Sequence, residues 1–413
     1  MHFICARQSN GFSHFGLAIS ALLANGLEPV SQGWKTTTTH FLDNHCLVAP
    51  RIRLKGERVV LDKPRLFGNL LTQVIRQGSC SFCGACIAAC PMNILWPVGE
   101  EPTLAGACAL CEICYYQCPT VEFSRDDVEA FLHGRTRRLD EPIGIYRAAF
   151  VGRSLKTEIQ EKAQDGGVVT ALLAYALDNH LIDAAVVTGR DDKWHSTPVV
   201  ATKYEDLVKN AGTKYTPSPT LLGVRSAIYE YGKTKIGLVG TPCQVKAVRR
   251  IQTSPLGNRR LAEAMSLTIG LFCMESYGYS KLIESYLTSK GINPTSVTKV
   301  GIKKGCFIAQ QKDQELLRVP LKEIDEYVRK SCKQCDDFTA EYADLSVGGI
   351  GCPSGYSTII ARTEKGLDLL RKAESAGYLE LRELPATEKG FQRVVNMAQM
   401  KRTRKTGEKK TQP

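Results

Sequence analysis

The sequence lacks a long hydrophobic run. Nowhere in its 413 residues do about 18 apolar residues follow one another, which is the least that a membrane-spanning helix needs. The first residues, MHFICARQSNGFSHFGLAISALLANGL, combine a weakly charged start with an apolar run that Ser and Asn interrupt. This pattern predicts ordinary folded sequence rather than a secretory signal. We therefore expect a cytoplasmic protein, with peripheral docking at the inner membrane face as the alternative.

The sequence also lacks the motifs of RNA-recognition domains, zinc fingers and helix-turn-helix proteins, so we expect no nucleic-acid binding. Its net charge of +12 would still attract an anionic coenzyme or docking partner. Part of this charge lies in KRTRKTGEKKTQP, residues 401–413, which has six Lys or Arg against one Glu. Such runs are usually solvated, and residues 391–413 are predicted to form a basic disordered tail.

Cysteine, in contrast, is abundant, with sixteen residues. Eight of them lie in two similar stretches, CSFCGACIAACP (80–91) and CALCEICYYQCP (108–119). In a reducing cytosol, clustered thiols more often hold metal or perform redox chemistry than form disulfides. The alternative that the spacing leaves is a zinc site, but zinc takes four ligands and this block offers two complete sets.

The spacing of the eight cysteines predicts two [4Fe–4S] clusters. In two-cluster ferredoxins, three cysteines at C-x2-C-x2-C hold one cluster, and the cysteine before proline ligates the other cluster. Pro91 and Pro119 follow the fourth cysteine of each run. The predicted ligands of the first cluster are Cys80, Cys83, Cys86 and Cys118. Those of the second are Cys108, Cys111, Cys114 and Cys90.

The rest of the chain divides by composition and periodicity. Residues 1–72 contain no recognisable motif, 73–123 form the two-cluster ferredoxin-type domain, 124–142 are a charged connector, and 143–390 read as α/β. In this last region β-rich runs such as AAVVTG (184–189), KIGLVGTP (235–242) and MSLTIGLFC (265–273) alternate with helical patterns such as VVTALLAYALDNH (168–180) and YSKLIESYLTSKG (279–291). The predicted fold class is an α/β (α+β) domain preceded by a small ferredoxin-like domain with two [4Fe–4S] clusters.

Four further cysteines follow or lie near strand-like runs of the α/β region: Cys243, Cys273, Cys332 and Cys335. Loops at strand ends commonly meet at one edge of an α/β sheet. The four thiols would then converge on a third cluster. Their spacing alone equally allows a zinc site or buried structural cysteines.

Several motifs together give a specific resemblance. QDGGVVTALLAYALD, AGTKYT, GTPCQVKAVR, GLFCMES, CKQCDDFTAEYADLSVGGIG and GYSTIIART resemble, in this order, the coenzyme F420 hydrogenase/dehydrogenase beta-subunit family over about residues 145–365. The ferredoxin block in front is most similar in layout to the electron-input subunit of F420H2 dehydrogenases. The chain departs from the family at Ser354-Gly355-Tyr356, where Asp-Gly-Trp is common, and at GCFI (305–308), where the family has GKFW.

The resemblance implies FAD, coenzyme F420 as the hydride-exchanging substrate, and a cluster beside the flavin. Its ligands would be Cys243, Cys273, Cys332 and Cys335. The motif QDGGVVT assigns Gly166, Gly167, Val168 and Thr170 to cofactor binding, since glycines before a helix allow close approach of an anion to the first-turn amides. A plain helix start capped by Asp165 is the alternative.

The second cofactor motif is AGTKYT, in which Gly212, Thr213, Lys214 and Tyr215 would contact the flavin or a phosphorylated coenzyme. Lys214 is the candidate donor to the reduced ring, although a lone lysine is more often a surface charge.

The expected function is an F420-dependent oxidoreductase that exchanges hydride between F420 and FAD and relays single electrons through its clusters. Its partners would be F420 and other subunits of a redox complex, with docking to a membrane complex as one form of this. The alternatives are the beta subunit of an F420-reducing hydrogenase or formate dehydrogenase, a flavin-free relay subunit, and a reductase acting on another substrate.

Overall fold

The computed structural model of the chain describes residues 52–55, 58–61, 63–121 and 123–406. The chain divides into two compact units, Met1–Lys63 and Pro64–Pro413. In the first unit, strands β1 (Ile52–Lys55) and β2 (Arg58–Leu61) pair antiparallel. The interpretation of the first residues as folded sequence, and most of the region 1–72, lie outside the described residues.

The cysteine-rich block opens the second unit and consists of short elements. They are α1 (Phe67–Leu70, continued as a π-helix over Leu71–Ile75), α2 (Ala85–Ala89), β3 (Leu95–Val98), β4 (Glu101–Leu104) and α3 (Ile113–Tyr116). Strands β3 and β4 form an antiparallel hairpin. Helices α2 and α3 are short because each begins within a C-x2-C-x2-C run and ends beside the fourth cysteine, Cys90 or Cys118.

The charged connector contains a capped helix, α4 (Arg125–His133). The Ser124 hydroxyl accepts a hydrogen bond from the Asp127 amide, which satisfies a first-turn donor. Gly134, at φ +69°, ends the helix in the left-handed conformation that glycine tolerates best. The connector is therefore an ordered part of the second unit.

An eight-stranded sheet forms the centre of the second unit, in the order β15-β5-β14-β13-β9-β8-β6-β7. A separate antiparallel sheet has the order β10-β11-β12. The strands are β5 (Ala148–Ser154), β6 (Ala184–Arg190), β7 (Ser196–Ala201), β8 (Ile236–Gly240), β9 (Met265–Leu271), β10 (Lys299–Lys303), β11 (Cys306–Gln311), β12 (Gln314–Pro320), β13 (Leu345–Gly348), β14 (Ser357–Ala361) and β15 (Leu379–Glu383).

The strand directions gather several loops on one side of the large sheet. Strands β6, β8, β9 and β13 are parallel neighbours. Strand β14 runs antiparallel to both β13 and β5, so β5 points the same way as the central four. The carboxyl ends of these five strands share one side of the sheet, here called the carboxyl edge, where ligands of α/β proteins commonly bind.

Helices cover both faces of the large sheet. They are α5 (Thr157–Lys162), α6 (Val168–Asp178), α7 (Tyr204–Lys209), α8 (Leu221–Tyr229), α9 (Pro242–Thr253), α10 (Arg259–Ala264) and α12 (Glu364–Ser375). A π-helix over Ser280–Leu287 and a 3-10 turn over Leu321–Tyr327 share a buried cluster with the three-stranded sheet. Two short elements remain, a 3-10 turn over Pro294–Ser296 and helix α11 (Lys330–Lys333). A hydrophobic core lies on each face of the large sheet, and strand β6 contributes to both. Ala185 and Val187 pack with α6 and α12, while Val186 packs with α8 and α9 on the other face. Among the described residues, no helix has the length and hydropathy needed to cross a bilayer.

The α/β prediction for residues 143–390 is confirmed as a mixed α/β fold with a large mixed sheet. The runs at 184–189, 235–242 and 265–273 become β6, β8 and β9. The helical patterns become α6 and the π-helix at 280–287. These elements were predictable because strands buried on both faces are continuously apolar, whereas the helices keep their 3.6-residue period.

The prediction of a disordered tail over 391–413 is wrong for residues 391–406. Helix α13 (Lys389–Thr406) occupies them. Its apolar positions, Phe391, Val394, Val395 and Ala398, are spaced by three and four residues and are buried in one cluster. Charge composition misled the prediction because it ignored this apolar face. Residues 407–413 lie outside the described ones.

Candidate functional site: three thiol sets along the second unit

Two cavities in the ferredoxin-type block divide its eight cysteines into the two predicted sets. The first, of about 350 Å³, is lined by the first thiol set: Cys80, Cys83, Cys86 and Cys118. The second, of about 370 Å³, is lined by the second thiol set: Cys90, Cys108, Cys111 and Cys114. Each set thus combines one C-x2-C-x2-C run with the cysteine that precedes proline in the other run.

The two C-x2-C-x2-C loops have the same backbone conformation. Phe82 and Leu110 occupy equivalent positions and both have φ +56°. Gly84 and Glu112, also equivalent, have φ +86° and +63°. The amide of Phe82 donates to Cys80 Sγ at 3.4 Å, and the amide of Leu110 donates to Cys108 Sγ at the same distance. Amides aimed at sulfur stabilise thiolates and iron–sulfur clusters.

Burial makes these thiols resist ionisation when no metal is bound. It raises the pKa of Cys80 to about 11 and places the pKa of Cys86 well above the ordinary 9.0, with the neighbouring thiolates adding to both shifts. In the second set, burial and then the charges of Cys111, Cys108 and Cys90 raise the pKa of Cys114 to about 12. A multivalent metal core compensates four converging thiolates and displaces their protons.

Each donor set offers four thiols, the number of ligands that a [4Fe–4S] cluster requires. Four ligands of zinc all lie about 2.0–2.3 Å from one point. In the part of the chain that the structure describes, no three His, Cys, Asp or Glu side chains are arranged to hold one metal ion. The eight cysteines of the ferredoxin-type block line two separate cavities, four in each, which is the division that two-cluster ferredoxins require.

The third thiol set, Cys243, Cys273, Cys332 and Cys335, comes together near the carboxyl edge. Cys243 is the second residue of α9, which begins at Pro242 after the cap Thr241. Cys273 follows β9, while Cys332 lies in α11 with Cys335 just beyond it. Burial raises the pKa of Cys273, and its thiolate also interacts with the other three members of the set. The amide of Ser276 donates to Cys332 Sγ at 3.3 Å.

The three sets form a row with the first set in the middle. The thiolate of Cys83 interacts with that of Cys243 in the third set. The thiolate of Cys86 interacts with that of Cys114 in the second set. The first set is thus within interaction range of both others, and we call this order, from the carboxyl edge through the first set to the second, the row.

The ferredoxin-type block is packed directly on the α/β region. The amide of Leu221, at the start of α8, donates to the carbonyl of Cys83 at 3.1 Å. A Cβ atom added to Gly84 would lie 2.8 Å from the carbonyl oxygen of Pro219. Ala85 and Ala88 of α2 belong to the same buried cluster as α8 and α9. These close contacts fix the first thiol set relative to the third.

The glycines of QDGGVVT lie where β5 and β14 meet the start of α6. Gly166 donates its amide to Ser357 Oγ at 3.1 Å and accepts the Ser154 amide at 2.7 Å. Gly167, at φ +70°, is the N-cap of α6, so the alternative of an Asp165 cap is wrong. Val168 is buried and Thr170 is half-buried in the first turn. First-turn amides have no acceptor within their own helix and remain available to an anion.

The loop 211–216 has a different arrangement from the one expected for Lys214. The Lys214 ammonium donates to the carbonyls of Asn210, Ala211 and Gly212 at 2.6, 3.3 and 3.0 Å. All three of its donors are thus directed at the backbone, and burial together with Arg190 lowers its pKa to about 8. This geometry does not support a hydrogen bond from Lys214 to a flavin ring.

The other residues of the loop lie beside the segment that follows Cys273. Gly212 has φ +87°, and Thr213 beside it is half-buried. The carbonyl of Tyr215 accepts the Tyr277 amide at 2.9 Å and the Ser276 hydroxyl at 3.0 Å. The loop therefore adjoins the segment that follows Cys273.

Sequence reasoning missed two cations of α13 beside the third set. The Lys401 ammonium donates to the Cys273 carbonyl at 2.6 Å. Arg404 donates to the Cys332 carbonyl at 3.2 Å. The apolar spacing of Phe391, Val394 and Ala398 was the signal that would have predicted a docked helix here.

Models of known protein families match the sequence of the chain. Two models described as "Coenzyme F420 hydrogenase/dehydrogenase, beta subunit" match the chain, the amino-terminal one over residues 149–224 and the carboxyl-terminal one over residues 233–387. A "4Fe-4S binding domain" model matches residues 74–96. The chain belongs to the coenzyme F420 hydrogenase/dehydrogenase beta-subunit family. The resemblance predicted from the motifs is thereby confirmed.

The matches to individual relatives extend over most of the length of each relative. The beta subunit of the coenzyme F420 hydrogenase of Methanothermobacter thermautotrophicus is 41% identical over 250 residues, 60% of this chain and 89% of that protein. One F(420)H(2) dehydrogenase subunit, from Methanosarcina mazei, is 30% identical over 345 residues, 80% of this chain and 92% of that protein. A chain of the F420-reducing [NiFe] hydrogenase complex of Methanosarcina barkeri superimposes with a TM-score of 0.62 at 34% identity, covering 66% of this chain and 94% of that chain.

Proposed function

We propose that the protein is an F420-dependent oxidoreductase that exchanges hydride between coenzyme F420 and bound FAD and relays single electrons to or from a partner subunit. The observation that carries the proposal is the row of three thiol sets, which starts at the carboxyl edge of a family fold whose relatives are named for coenzyme F420. When bound, FAD supplies the change between two-electron and one-electron chemistry, and the clusters supply one-electron transfer.

The residues of the carboxyl edge suit the binding of an anionic cofactor. The first turn of α6, with Val168 and Thr170, would direct its amides at a pyrophosphate or at ribityl oxygens. Gly166 and Gly167 would hold this turn close to the sheet, and Gly212, Thr213 and Tyr215 would face the cofactor from the neighbouring loop. Lys303 lies exposed at the end of β10 and interacts with Asp165. Its charge would attract the phosphate of a coenzyme.

The cysteines hold the clusters in this proposal: Cys80, Cys83, Cys86 and Cys118 the first, Cys90, Cys108, Cys111 and Cys114 the second, and Cys243, Cys273, Cys332 and Cys335 the third. The thiolates of Cys83 and Cys243 interact, so the first and third sets would be neighbours in the relay. Electron transfer needs no protein side chain to react, so the contribution of the chain is positioning, exclusion of water and tuning of potential.

The surroundings of the second thiol set support a partner at the far end of the row. Two exposed large apolar side chains, Met92 and Leu104, line its cavity, and Leu110 lies within its C-x2-C-x2-C run. Trp96 and Val98 are exposed on the neighbouring strand β3. Leu110 lies between Cys108 and Cys111 and is 58% exposed. Exposed apolar groups concentrated in one region are typical of an interaction surface. A redox protein that covers them would receive electrons from the second cluster.

Among the related activities, the F420H2 dehydrogenase type is favoured by length. The match to the M. mazei F(420)H(2) dehydrogenase protein covers 80% of this chain, whereas the match to the M. thermautotrophicus hydrogenase protein covers 60%. The longer match is long enough to include the ferredoxin-type block together with the two family domains. A hydrogenase or formate dehydrogenase beta subunit is the alternative, and a relative of the latter kind is 32% identical over 232 residues.

Anaerobic purification followed by titration with reduced F420 tests the proposal. We expect about twelve iron and twelve sulfide per chain, four of each per cluster, together with bound FAD that bleaches when reduced F420 is added. A full iron content without flavin would identify a relay protein instead. Flavin that reduced F420 fails to bleach would indicate another substrate, and about one zinc without sulfide would overturn the proposal.

A further inference from the structure

Helix α13 brings a buried positive charge to the third thiol set. The helix begins at Lys389, beyond residue 387 where the family model ends. Lys401, near its carboxyl end, is only 2% exposed. A lysine side chain is very rarely buried to this extent unless nearby groups compensate its charge, because removing an ammonium from water is energetically costly. The burial therefore calls for an explanation in the surroundings of Lys401.

The contacts of α13 connect the two loops that carry the third set. The Lys401 ammonium donates to the carbonyl of Cys273 at 2.6 Å. Arg404 donates to the carbonyls of Met274 and Cys332, both at 3.2 Å. One helix thus binds the loop after β9 and the loop of α11. Its two cations hold these loops at a fixed distance from each other.

Lys401 is the cation whose charge is least neutralised beside these thiols. Its ammonium interacts with the thiolates of Cys273, Cys335 and Cys332 and with Asp337. Lys246 also interacts with Cys335, but it forms an ion pair with Asp336 at 3.1 Å. Within the described residues, Lys401 takes part in no ion pair shorter than 4.0 Å. Its charge therefore acts on the thiol set and on the neighbouring Asp337 carboxylate.

We propose that Lys401 is a positioning residue that raises the reduction potential of the cluster held by the third thiol set. The inference rests on the third cluster of the proposed function. Reduction adds one electron from the flavin to the cluster and neither forms nor breaks a bond, so the cluster becomes more negative by one charge. A buried cation stabilises this state more than the oxidised one, because interactions are strong where water is excluded.

Replacement of the charge tests the inference in the holoenzyme. Lys401→Gln keeps a hydrogen-bond donor and removes the charge, while Lys401→Arg keeps the charge. Lys389→Gln makes the same substitution at an exposed position of the same helix. An anaerobic redox titration followed by electron paramagnetic resonance resolves the one-electron components, and Cys335→Ser identifies the third cluster as the component that it alters.

We expect Lys401→Gln to move that single component to lower potential. A tenfold change in its redox equilibrium corresponds to about 59 mV for a one-electron couple. The other two components should stay in place, and Lys401→Arg and Lys389→Gln should resemble the wild type. Unchanged potentials in Lys401→Gln, with full iron content, would overturn this inference and leave the proposed function standing.

Two other outcomes also decide the question. If Lys401→Gln loses iron while Lys389→Gln retains it, Lys401 has a structural role only and the tuning role is wrong. If the wild type itself contains about eight iron, which is two clusters, the third cluster does not exist, and the proposed relay fails together with the inference.

Discussion

His133 is a half-buried base among arginines. It is the last residue of α4. Burial, and after it the charges of Arg362, Arg135 and Arg147, lowers its pKa from 6.5 to about 4. The imidazole is therefore neutral in the folded protein under conditions where it would be partly protonated in the unfolded chain.

This shift predicts a pH dependence of stability. Between pH 6.5 and about 4, the unfolded state binds a proton that the folded state does not, so the free energy of unfolding falls as the pH is lowered. His133→Gln removes this contribution. Anaerobic thermal unfolding at about pH 7.5 and at lower pH should give a larger drop in Tm for the wild type than for His133→Gln. Equal drops would contradict the assignment.

At this scale the sequence predicts which cysteines come together better than it predicts individual hydrogen bonds. The partition of the ferredoxin-type cysteines followed from spacing, because three residues of a tight loop can reach only one core. The bonds of Lys214 did not follow, since they depend on where the carbonyls of Asn210 and Ala211 point after α7 ends. Such directions are set by tertiary packing, which a motif does not encode.

Among the elements, the loop of the first C-x2-C-x2-C run packs closely on the segment that precedes α8. Gly84 combines φ +86° with a virtual Cβ at 2.8 Å from the Pro219 oxygen. Gly134 has φ +69° but nothing within 4 Å of its virtual Cβ. Substitution of Gly134 therefore measures the cost of a left-handed side-chain residue alone, whereas substitution of Gly84 adds the cost of a steric clash.

We expect Gly84→Ala to destabilise the holoprotein more than Gly134→Ala. The control should lose about 1–2 kcal/mol, the cost of placing a side chain in the left-handed region. In Gly84→Ala the new methyl group should in addition push the loop that carries Cys83 away from α8, and the variant should therefore also release iron. Thermal unfolding and iron analysis of both variants measure this. Similar losses in both, with iron retained, would show that the docking contact is loose.

Element prediction succeeded where hydrophobic periodicity is strong and failed where charge hid it. The strands β6, β8 and β9 are continuous apolar runs. Helix α13 has the same kind of signal in Phe391 and Val394, but the basic residues after position 400 dominated its composition. Those cations bond to loops that are distant in sequence, which composition does not reveal.

For the molecule as a whole, the order of the thiol sets makes the first one the link between the other two. Cys83 interacts with Cys243, and Cys86 interacts with Cys114. In the proposed relay, loss of the first cluster would therefore interrupt electron transfer between the flavin and the partner subunit. The sequence predicted the three sets but not their order, because the order depends on how α2 packs against α8 and α9.

Cys118→Ser tests the order. We expect the variant to lose about four iron and four sulfide, one cluster, and to lose electron transfer from reduced F420 to the second cluster. Reduction of the third cluster should persist, which freeze-quench electron paramagnetic resonance follows. The control is Cys306→Ser, a cysteine of β11 outside all three sets. Undiminished transfer in Cys118→Ser would contradict the proposed row.

The exchange of Cys90 and Cys118 between the two cavities has a consequence for biosynthesis. The first three thiols of the first cavity leave the ribosome early, yet the wall of that cavity is closed only by Cys118. The second cavity requires Cys90 from the earlier run. The second site has all four cysteines once translation has passed residue 114, and the first once it has passed residue 118. A maturation factor that delivers clusters would therefore meet both sites at nearly the same stage, after the two runs have come together.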